Sequence, residues 1–354
     1  MLDLSRKTAY FAGTVVTRRL TCVNDTTAPV SGTLTVALRR PGQRAPLCRA
    51  VWRLRIERGG TAAREVRWQV PALARGRHVY TAEFRDRRGR VLERWSRALT
   101  IAPRMLAGAQ PRGRRGAAPW AVFGPGTLRG ALAAAGIEAH YLPELTSAAL
   151  RPYRHLILEG HTVQAGTNQN QVIRDFAREG GRVLVLEQSV SLFADLPLEE
   201  RALQTNWIRA PGHPVLAGLT DRDFAFWGED PYPLAGGDNV VAVRLYRKDA
   251  GAEALFLLDG GEGGFGPGDL ELTSLLEVRP GRGVVLACQL LLEKKLATEP
   301  AAERLFLNLL RRLATYVPAA AQQVEIVGGG AVDPGAAAAC VARARAGATV
   351  LVEQ

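Results

Sequence analysis

Glu187, Gln188 and Ser189 close the apolar run Arg182 to Leu186, and Glu159, Gly160 and His161 close another, His155 to Glu159. A serine beside a histidine can perform nucleophilic catalysis, which makes Ser189 with His161 the pairing to test, and Glu187 is a separate weak catalytic candidate. A nucleophile elbow belongs right after Arg182 to Leu186, on a sharp turn that exposes a Cys or Ser. The residues there, Glu187-Gln188-Ser189-Val190-Ser191, include no cysteine and no flanking glycine, which argues against nucleophilic catalysis. His213 precedes Pro214 with no acid placed beside it by motif.

Glu159, Glu187, Glu229 and Asp230 are the carboxylates for glycosidic chemistry, which needs a pair about 5 to 10 Å apart. Phe224, Phe226, Trp227 and Tyr232 cluster beside Glu229-Asp230, either to stack on a sugar ring or, the favoured reading, to pack against a sheet edge or a neighbouring domain. Open α/β sheets bind ligands beyond the carboxyl ends of their strands, so the candidate ligand-binding set is Glu159, Gln188, Trp227, Glu229 and Gln289. Gly124-Pro125-Gly126-Thr127 could present N–H groups to an anion, but it lacks GxGxxG and the Walker lysine and reads as a plain strand-to-helix turn. No His/Cys/Asp cluster has metal-ligand spacing, and no cofactor is expected.

The elements that must position these residues change character along the chain. Through the first hundred residues apolar side chains recur with period two: Cys48, Ala50, Trp52, Leu54 and Ile56 share one face, Arg49, Arg53, Arg55 and Glu57 the other. Half-buried antiparallel strands read this way. With Thr14 to Val23, Thr33 to Leu38, Val66 to Val70, Val79 to Phe84, Val91 to Trp95 and Ser96 to Ile101, about seven short strands predict an immunoglobulin-like β-sandwich over 1–102. Residues 103–118 lack periodicity and read as a linker. From Trp120 strands and helices alternate: Trp120 to Phe123, helix Thr127 to Ala135, Glu138 to Tyr141, His155 to Glu159, helix Asn168 to Glu179 and Arg182 to Leu186. Strands Val240 to Tyr246, Ala254 to Leu258 and Val284 to Leu290 and the amphipathic helix Pro300 to Tyr316 complete a doubly wound, flavodoxin-like α/β domain over 119–317.

The last segment repeats a piece of this. Gly347 to Gln354 follows a helical stretch as Gly181 to Gln188 does, and Val324 to Val327 answers His155 to Glu159. Two strands and a helix cannot bury a parallel sheet, so 318–354 is expected to be the start of a second α/β domain and the chain part of a longer protein.

The net charge of +12 is uneven: residues 1–118 carry +18 and the remainder −6. Nearly all the cations are arginines alternating with apolar residues, and no recognition-helix or RNP-like motif accompanies them. A solvated or docking face is expected rather than a nucleic-acid site. Arg49, Arg53 and Arg55, with Arg64 and Arg67 of the next segment, should line it. No stretch approaches the roughly 20 apolar residues of a membrane span, so no membrane partner is expected. Cys22, Cys48, Cys288 and Cys340 lack CxxC spacing and read as reduced packing residues, with a Cys22 to Cys48 disulfide the lesser alternative.

Tyr10-Phe11-Ala12-Gly13 followed by Arg18-Arg19-Leu20-Thr21-Cys22-Val23-Asn24-Asp25-Thr26 resembles the opening of the immunoglobulin-like domain that follows the catalytic barrel in some large bacterial glycoside hydrolase family 2, β-galactosidase-like proteins. Residues 119–317 resemble the class I glutamine amidotransferase-like domain of β-galactosidases, through His213-Pro214-Val215-Leu216, Gly281 to Leu290 and Glu299-Pro300-Ala301-Ala302. The resemblance implies an accessory region acting in carbohydrate metabolism, partnered by the catalytic barrel of a parent protein or a neighbouring subunit. The family's catalytic glutamates sit in a (β/α)8 barrel, so none is carried over, and the amidotransferase-like part lacks its cysteine. The rivals are a carbohydrate-binding module working through the Phe224 to Trp227 aromatics and a degenerate amidotransferase-like hydrolase using Glu187, Ser189 or His161.

Overall fold

The computed structural model describes residues 1–3, 5–106, 119–229, 239–249, 253–261 and 270–318, and the backbone of 326–327 and 351–352. Met1–Thr315 forms one compact unit and Tyr316–Gln354 another. Strand outweighs helix, 40% against 17%, so sheet hydrogen bonding carries most of the architecture.

The first eight strands are β1 (Leu2–Asp3), β2 (Ala9–Phe11), β3 (Val15–Val23), β4 (Val30–Arg39), β5 (Cys48–Ile56), β6 (Thr61–Gln69), β7 (Gly76–Asp86) and β8 (Val91–Ala102). They form a three-stranded sheet, β1-β3-β6, and a five-stranded sheet, β2-β8-β7-β4-β5. Val16, Leu20 and Trp68 from the first meet Leu34, Val36, Tyr80 and Ile101 from the second in one core. Tyr80 sits edge-on to both Trp68 and Trp95, with centroids 5.4 and 5.2 Å away. A β-sandwich follows from the period-two patterning, because each strand has one apolar face to bury.

Three expectations are corrected here. Val91 to Trp95 and Ser96 to Ile101 are one continuous strand, β8, and the short strands β1 and β2 had no periodicity to announce them. Arg64 and Arg67 lie on β6, in the other sheet, so they do not continue the row of Arg49, Arg53 and Arg55 on β5. Arg18 does not join the outward arginines: it occupies an inward position of β3 between Val16 and Leu20 and is 1% exposed. Cys22 and Cys48 are free thiols, as is Cys288; Cys340 lies outside the described residues.

Next come β9 (Trp120–Phe123), α1 (Arg129–Ala134), β10 (Ala139–Tyr141), α2 (Ser147–Leu150), β11 (His155–Leu158), α3 (Gln169–Arg178) and β12 (Arg182–Val185). They are followed by β13 (Leu198–Leu203), β14 (Asn206–Ile208), β15 (Ala242–Arg247), β16 (Ala254–Gly260), β17 (Leu272–Thr273), β18 (Leu275–Val278), β19 (Val284–Cys288), α4 (Leu292–Lys295) and α5 (Pro300–Thr315). An eight-stranded sheet runs β10-β9-β11-β12-β19-β18-β16-β14. Its first five strands pair in parallel and β18, β16 and β14 pair antiparallel. The sheet is therefore mixed rather than parallel throughout, with a small antiparallel sheet, β13-β15-β17, beside it. Helix α3 buries Val172, Ile173 and Ala177 with Val183 and Val185 on one face. Leu184 and Leu286 point the other way and are equally buried. Gly283 is required between these layers, because a Cβ there would lie 2.0 Å from the Ala177 carbonyl oxygen.

In the second unit, β20 (Ile326–Val327) pairs in parallel with β21 (Leu351–Val352). The helix expected between them and most of the linker, residues 107–118, lie outside the described residues.

Glu277 on β18 is 1% exposed and holds three cations or donors together. Arg312 of α5 donates to both its oxygens (2.9 and 3.0 Å), Arg279 donates to Oε1 (2.6 Å), and His213 Nε2 lies 3.2 Å from Oε2. His213 thus does have an acid beside it, delivered from a strand 64 residues away in sequence. Burial alone would raise the Glu277 carboxyl; hydrogen bonds from His213, Arg312 and Arg279 outweigh it and hold the group well below the ordinary range. A depressed carboxyl contributes stability above the unfolded-state value, about 4.3, and loses it as pH falls. Arg312→Met should therefore cost about 3 kcal/mol in urea unfolding at pH 7, with the gap to the parent narrowing as pH falls below about 4. An unchanged midpoint at pH 7 would refute the structural role of this cluster.

Candidate functional site

The parallel strands deliver their carboxyl ends to one edge, where ligands of open α/β sheets bind. That edge is filled by Glu159. Its side chain is fully buried, and its carboxylate accepts the backbone N–H groups of Gly126 (2.5 Å), Thr127 (3.2 Å) and Leu128 (2.8 Å) and the Tyr141 hydroxyl (3.2 Å). The Gly124 to Thr127 turn does present N–H groups to an anion, and the anion belongs to the chain. Gly124 is obligatory here: it has φ +153°, and a Cβ would stand 2.5 Å from the Glu159 Cβ. Burial, with the Glu159 charge beside it, pushes the Tyr141 hydroxyl up to about 12.

Gln188 and Gln289 are also fully buried and bind the strand ends to each other. The Gln188 amide donates to the carbonyls of Glu159 and Leu186, both 2.9 Å, and accepts from the Val163 N–H at 2.9 Å. Gln289 Oε1 takes the Gln188 backbone N–H at 3.0 Å. These two amides act as cross-links between β11, β12 and β19, leaving none of their acceptors turned to solvent.

On the outer lip His161, Ser189 and Glu187 come together. His161 Nδ1 lies 2.9 Å from Ser189 Oγ, and its Nε2 lies 3.5 Å from Glu187 Oε1. His161 has φ +58° and gives its N–H to the Glu187 carbonyl at 2.8 Å. The left-handed residue thus follows β11, not β12 where an elbow was expected. Lys294 Nζ lies 3.5 Å from Glu187 Oε2, and Glu293 accepts the Gly160 N–H at 2.9 Å. Burial pushes the Glu293 carboxyl up, partly offset by that N–H. Sequence reasoning missed Glu293 and Lys294; their signal was their place just after β19, whose carboxyl end reaches the same edge.

The trio has catalytic residue types and lies at the surface. Ser189 and His161 are exposed, and hollows of about 370 to 990 Å³ among the described residues lie elsewhere. Among the described residues no group of three or more His, Cys, Asp or Glu is arranged to hold a metal.

Trp227 and Glu229 stand apart from this edge and face the sandwich. Trp227 is 1% exposed and donates its indole N–H to the Asp223 carbonyl at 2.8 Å, so neither ring face is open to a sugar. Phe224 is fully buried, and the Arg6 guanidinium lies 4.9 Å above the Phe226 ring. Glu229 receives the Tyr10 hydroxyl at 2.5 Å and the Ser5 hydroxyl, and it lies 3.8 Å from the buried Arg18. Asp230 and Tyr232 lie outside the described residues. The same interface pairs Lys7 with Glu299, whose carboxyl burial pushes up to about 7 against the pull of Lys7 and Lys295. Glu303 there accepts the N–H groups of Met105 and Leu106 at 2.9 and 3.0 Å.

No protein-family model matches the chain, and no curated protein matches it by sequence. Among solved structures, it is similar to a Paenibacillus sp. cycloisomaltooligosaccharide glucanotransferase complexed with cycloisomaltoheptaose, with 14% identity and a TM-score of 0.25 over 52% of this chain. The chain spans only 27% of that enzyme. It is also similar to a CARDB domain from Pyrococcus furiosus, with 12% identity and a TM-score of 0.23 over 27% of this chain and 81% of that one. Likeness this weak decides no function.

If Glu159 closes the strand-end edge, removing its charge should disturb the fold and altering the lip should not. Glu159→Gln should cost about 2 kcal/mol in denaturant unfolding, since charge-assisted bonds to buried N–H groups are lost. Ser189→Ala, at an exposed site, should stay within about 0.5 kcal/mol of the parent. The reverse order would sink the assignment.

Proposed function

We propose that this chain is a non-catalytic, structural region of a larger carbohydrate-active protein of the glycoside hydrolase family 2, β-galactosidase-like kind. In this reading 1–102 is an immunoglobulin-like domain joined by 103–118 to an amidotransferase-like domain, 119–317, and 318–354 begins a second α/β unit. The observation that carries it is the Glu159 carboxylate seated on its own turn, with Gln188 and Gln289 locking the strands around it. The edge where such a sheet would take a ligand is occupied by the protein itself. The family resemblance of the Tyr10 to Thr26 and His213 to Leu216 segments supports the same reading. The region then serves to support the catalytic barrel of the parent protein or a neighbouring subunit, and carbohydrate is the parent's substrate class.

One observation favours a second reading. Ser189 and His161 lie at hydrogen-bond distance with Glu187 behind them, the order of groups used in acyl transfer. The missing cysteine and the missing flanking glycines after β12 weigh against it.

The purified chain should release no nitrophenol from aryl glycosides, no ammonia from glutamine and no acid from simple aryl esters. Turnover that disappears in Ser189→Ala or His161→Ala would overturn the structural reading in favour of the second one. Glycoside turnover lost in Glu187→Ala would overturn it as well.

A further inference from the structure

The outer face of the five-stranded sheet is a second feature that the structural reading does not use. Along β5, the residues opposite the core are Arg49, Val51, Arg53 and Arg55. Their neighbours in register set out the floor: Thr33 lies between Arg53 and Arg85, Thr35 between Val51 and Glu83, and Ala37 between Arg49 and Thr81. The result is a hollow of about 990 Å³ with a floor of Gly32, Thr33 and Thr35 and walls that include Arg39, Arg49, Arg53, Arg55, Arg85 and Arg87. A smaller hollow of about 520 Å³ shares Ser31, Arg55, Asp86 and Arg87 with it and adds Arg88 and Arg90. The acids on this surface are already taken, Glu57 among them, whose Oε1 lies 2.8 Å from Arg55 Nε. Arg85 and Arg94 hold Glu83 between them, and Arg90 lies 3.2 Å from Asp86. Cations outnumber acids on this face, and side chains such as Arg49 and Arg53 are exposed.

The chemistry of the floor selects among anionic partners. Docked protein surfaces bury an apolar or aromatic centre inside a polar rim; here the lining is mostly glycine, serine, threonine and charged residues, with Leu54 its apolar member and Val51 and Ala37 beside it. Single-stranded nucleic acid is gripped by stacking bases on aromatic side chains, and Trp52 and Trp95 belong to the core side of their strands. The same lack of aromatic rings disfavours a neutral sugar chain. What remains well matched is an extended polymer that carries both carboxylates and hydroxyls. Guanidinium groups take a planar carboxylate through paired N–H donors, and this face shows it on itself: Arg94 donates through both Nε, at 2.7 Å, and Nη2 to one oxygen of Glu83 while Arg85 holds the other. Threonine hydroxyls, at Thr33 and Thr35, suit sugar hydroxyls. From Arg49 to Arg55 the wall is about 20 Å long at the rise of a strand, enough for several residues of an extended chain.

We infer that this trough binds a polysaccharide bearing uronic acid carboxylates, the arginines taking the carboxylates and the threonine floor the hydroxyls. The inference rests on the carbohydrate-linked reading above for the choice of polymer backbone. It concerns binding alone, so its failure is distinct from the turnover that would overturn that reading.

The test is calorimetric titration of the whole chain with oligogalacturonate at 50 and 200 mM salt, with dextran, polyglutamate and duplex DNA as comparators. Saturable binding of the uronate, weakened by salt and absent for dextran, is expected. Arg49→Glu with Arg53→Glu should weaken it at least tenfold, and Thr33→Val with Thr35→Val severalfold, both at unchanged Tm. No saturable uronate binding would overturn the inference, as would uronate binding unaffected by the arginine changes. Polyglutamate or DNA binding as tightly at equal charge would replace it with an acidic-protein or general polyanion surface.

Discussion

A guanidinium buried in a β-sandwich is the constraint on which the assembly of Met1–Thr315 depends. Arg18 sits where the period of β3 calls for an apolar side chain, and charge taken out of water must be matched on the spot. The chain does this with pieces from three places. The carbonyls of Ser5 and Lys7 accept from Arg18, the carboxylates of Asp3 and Glu229 lie 3.7 and 3.8 Å away, and the rings of Tyr10 and Tyr80 lie 5.5 and 5.9 Å from its Cζ. Burial would lower its basicity, but Tyr10, Glu229 and Asp3 more than compensate, so it stays charged. Each partner arrives only if its own element is placed: the N-terminal strand β1 for Asp3, β2 for Tyr10, and the loop after Trp227 for Glu229. One unmet charge therefore specifies how the sandwich sits on the α/β sheet.

The same logic explains the quiet strand-end edge. A turn that offers three N–H groups in one direction must find an acceptor, and Glu159 supplies it from the neighbouring strand. With that acceptor in place, Gln188 and Gln289 can bridge β11, β12 and β19 through amide bonds whose other partners are backbone groups. Glu159 and Gln188, which look like part of a binding set in sequence, are thereby engaged with backbone groups of the strand ends. Only the lip, where His161 and Ser189 meet, keeps groups free enough to meet solvent.

Much of this was legible in the residues. The alternation from Cys48 to Ile56, and again from Val79 to Phe84, marks strands with one buried face, and the alternating strands and helices from Trp120 onward mark a layered sheet. Period does not reveal what a buried polar side chain meets, and there the reading failed. Arg18 obeys the same alternation as Arg53 but with the opposite phase, so the arginines looked alike until their neighbours were known. His213 lacked an acid because Glu277 is remote in sequence, whereas Trp227, read in favour of packing over sugar stacking, is enclosed. β18 interrupts the parallel order because its antiparallel pairing with β16 and β19 depends on a long-range register that no local pattern encodes.

Tyr10, His213 and Glu299 have a common fate in three dimensions. Tyr10 reaches Glu229, His213 closes on Glu277, and Glu299 meets Lys7, so each pairs with a residue far away in sequence. Two of the three contacts join the sandwich to the α/β sheet and the third fixes the loop before β15 against α5's Arg312. Contacts of this kind specify how layers are assembled. The outer sheet face is different: Arg55, Arg85, Arg90 and Arg94 pair with Glu57, Glu83 and Asp86 at the surface, and Arg49 and Arg53 beside them are exposed. In this molecule the buried charges hold the architecture, and the capacity to recognise something else lies with the charges the architecture leaves outside.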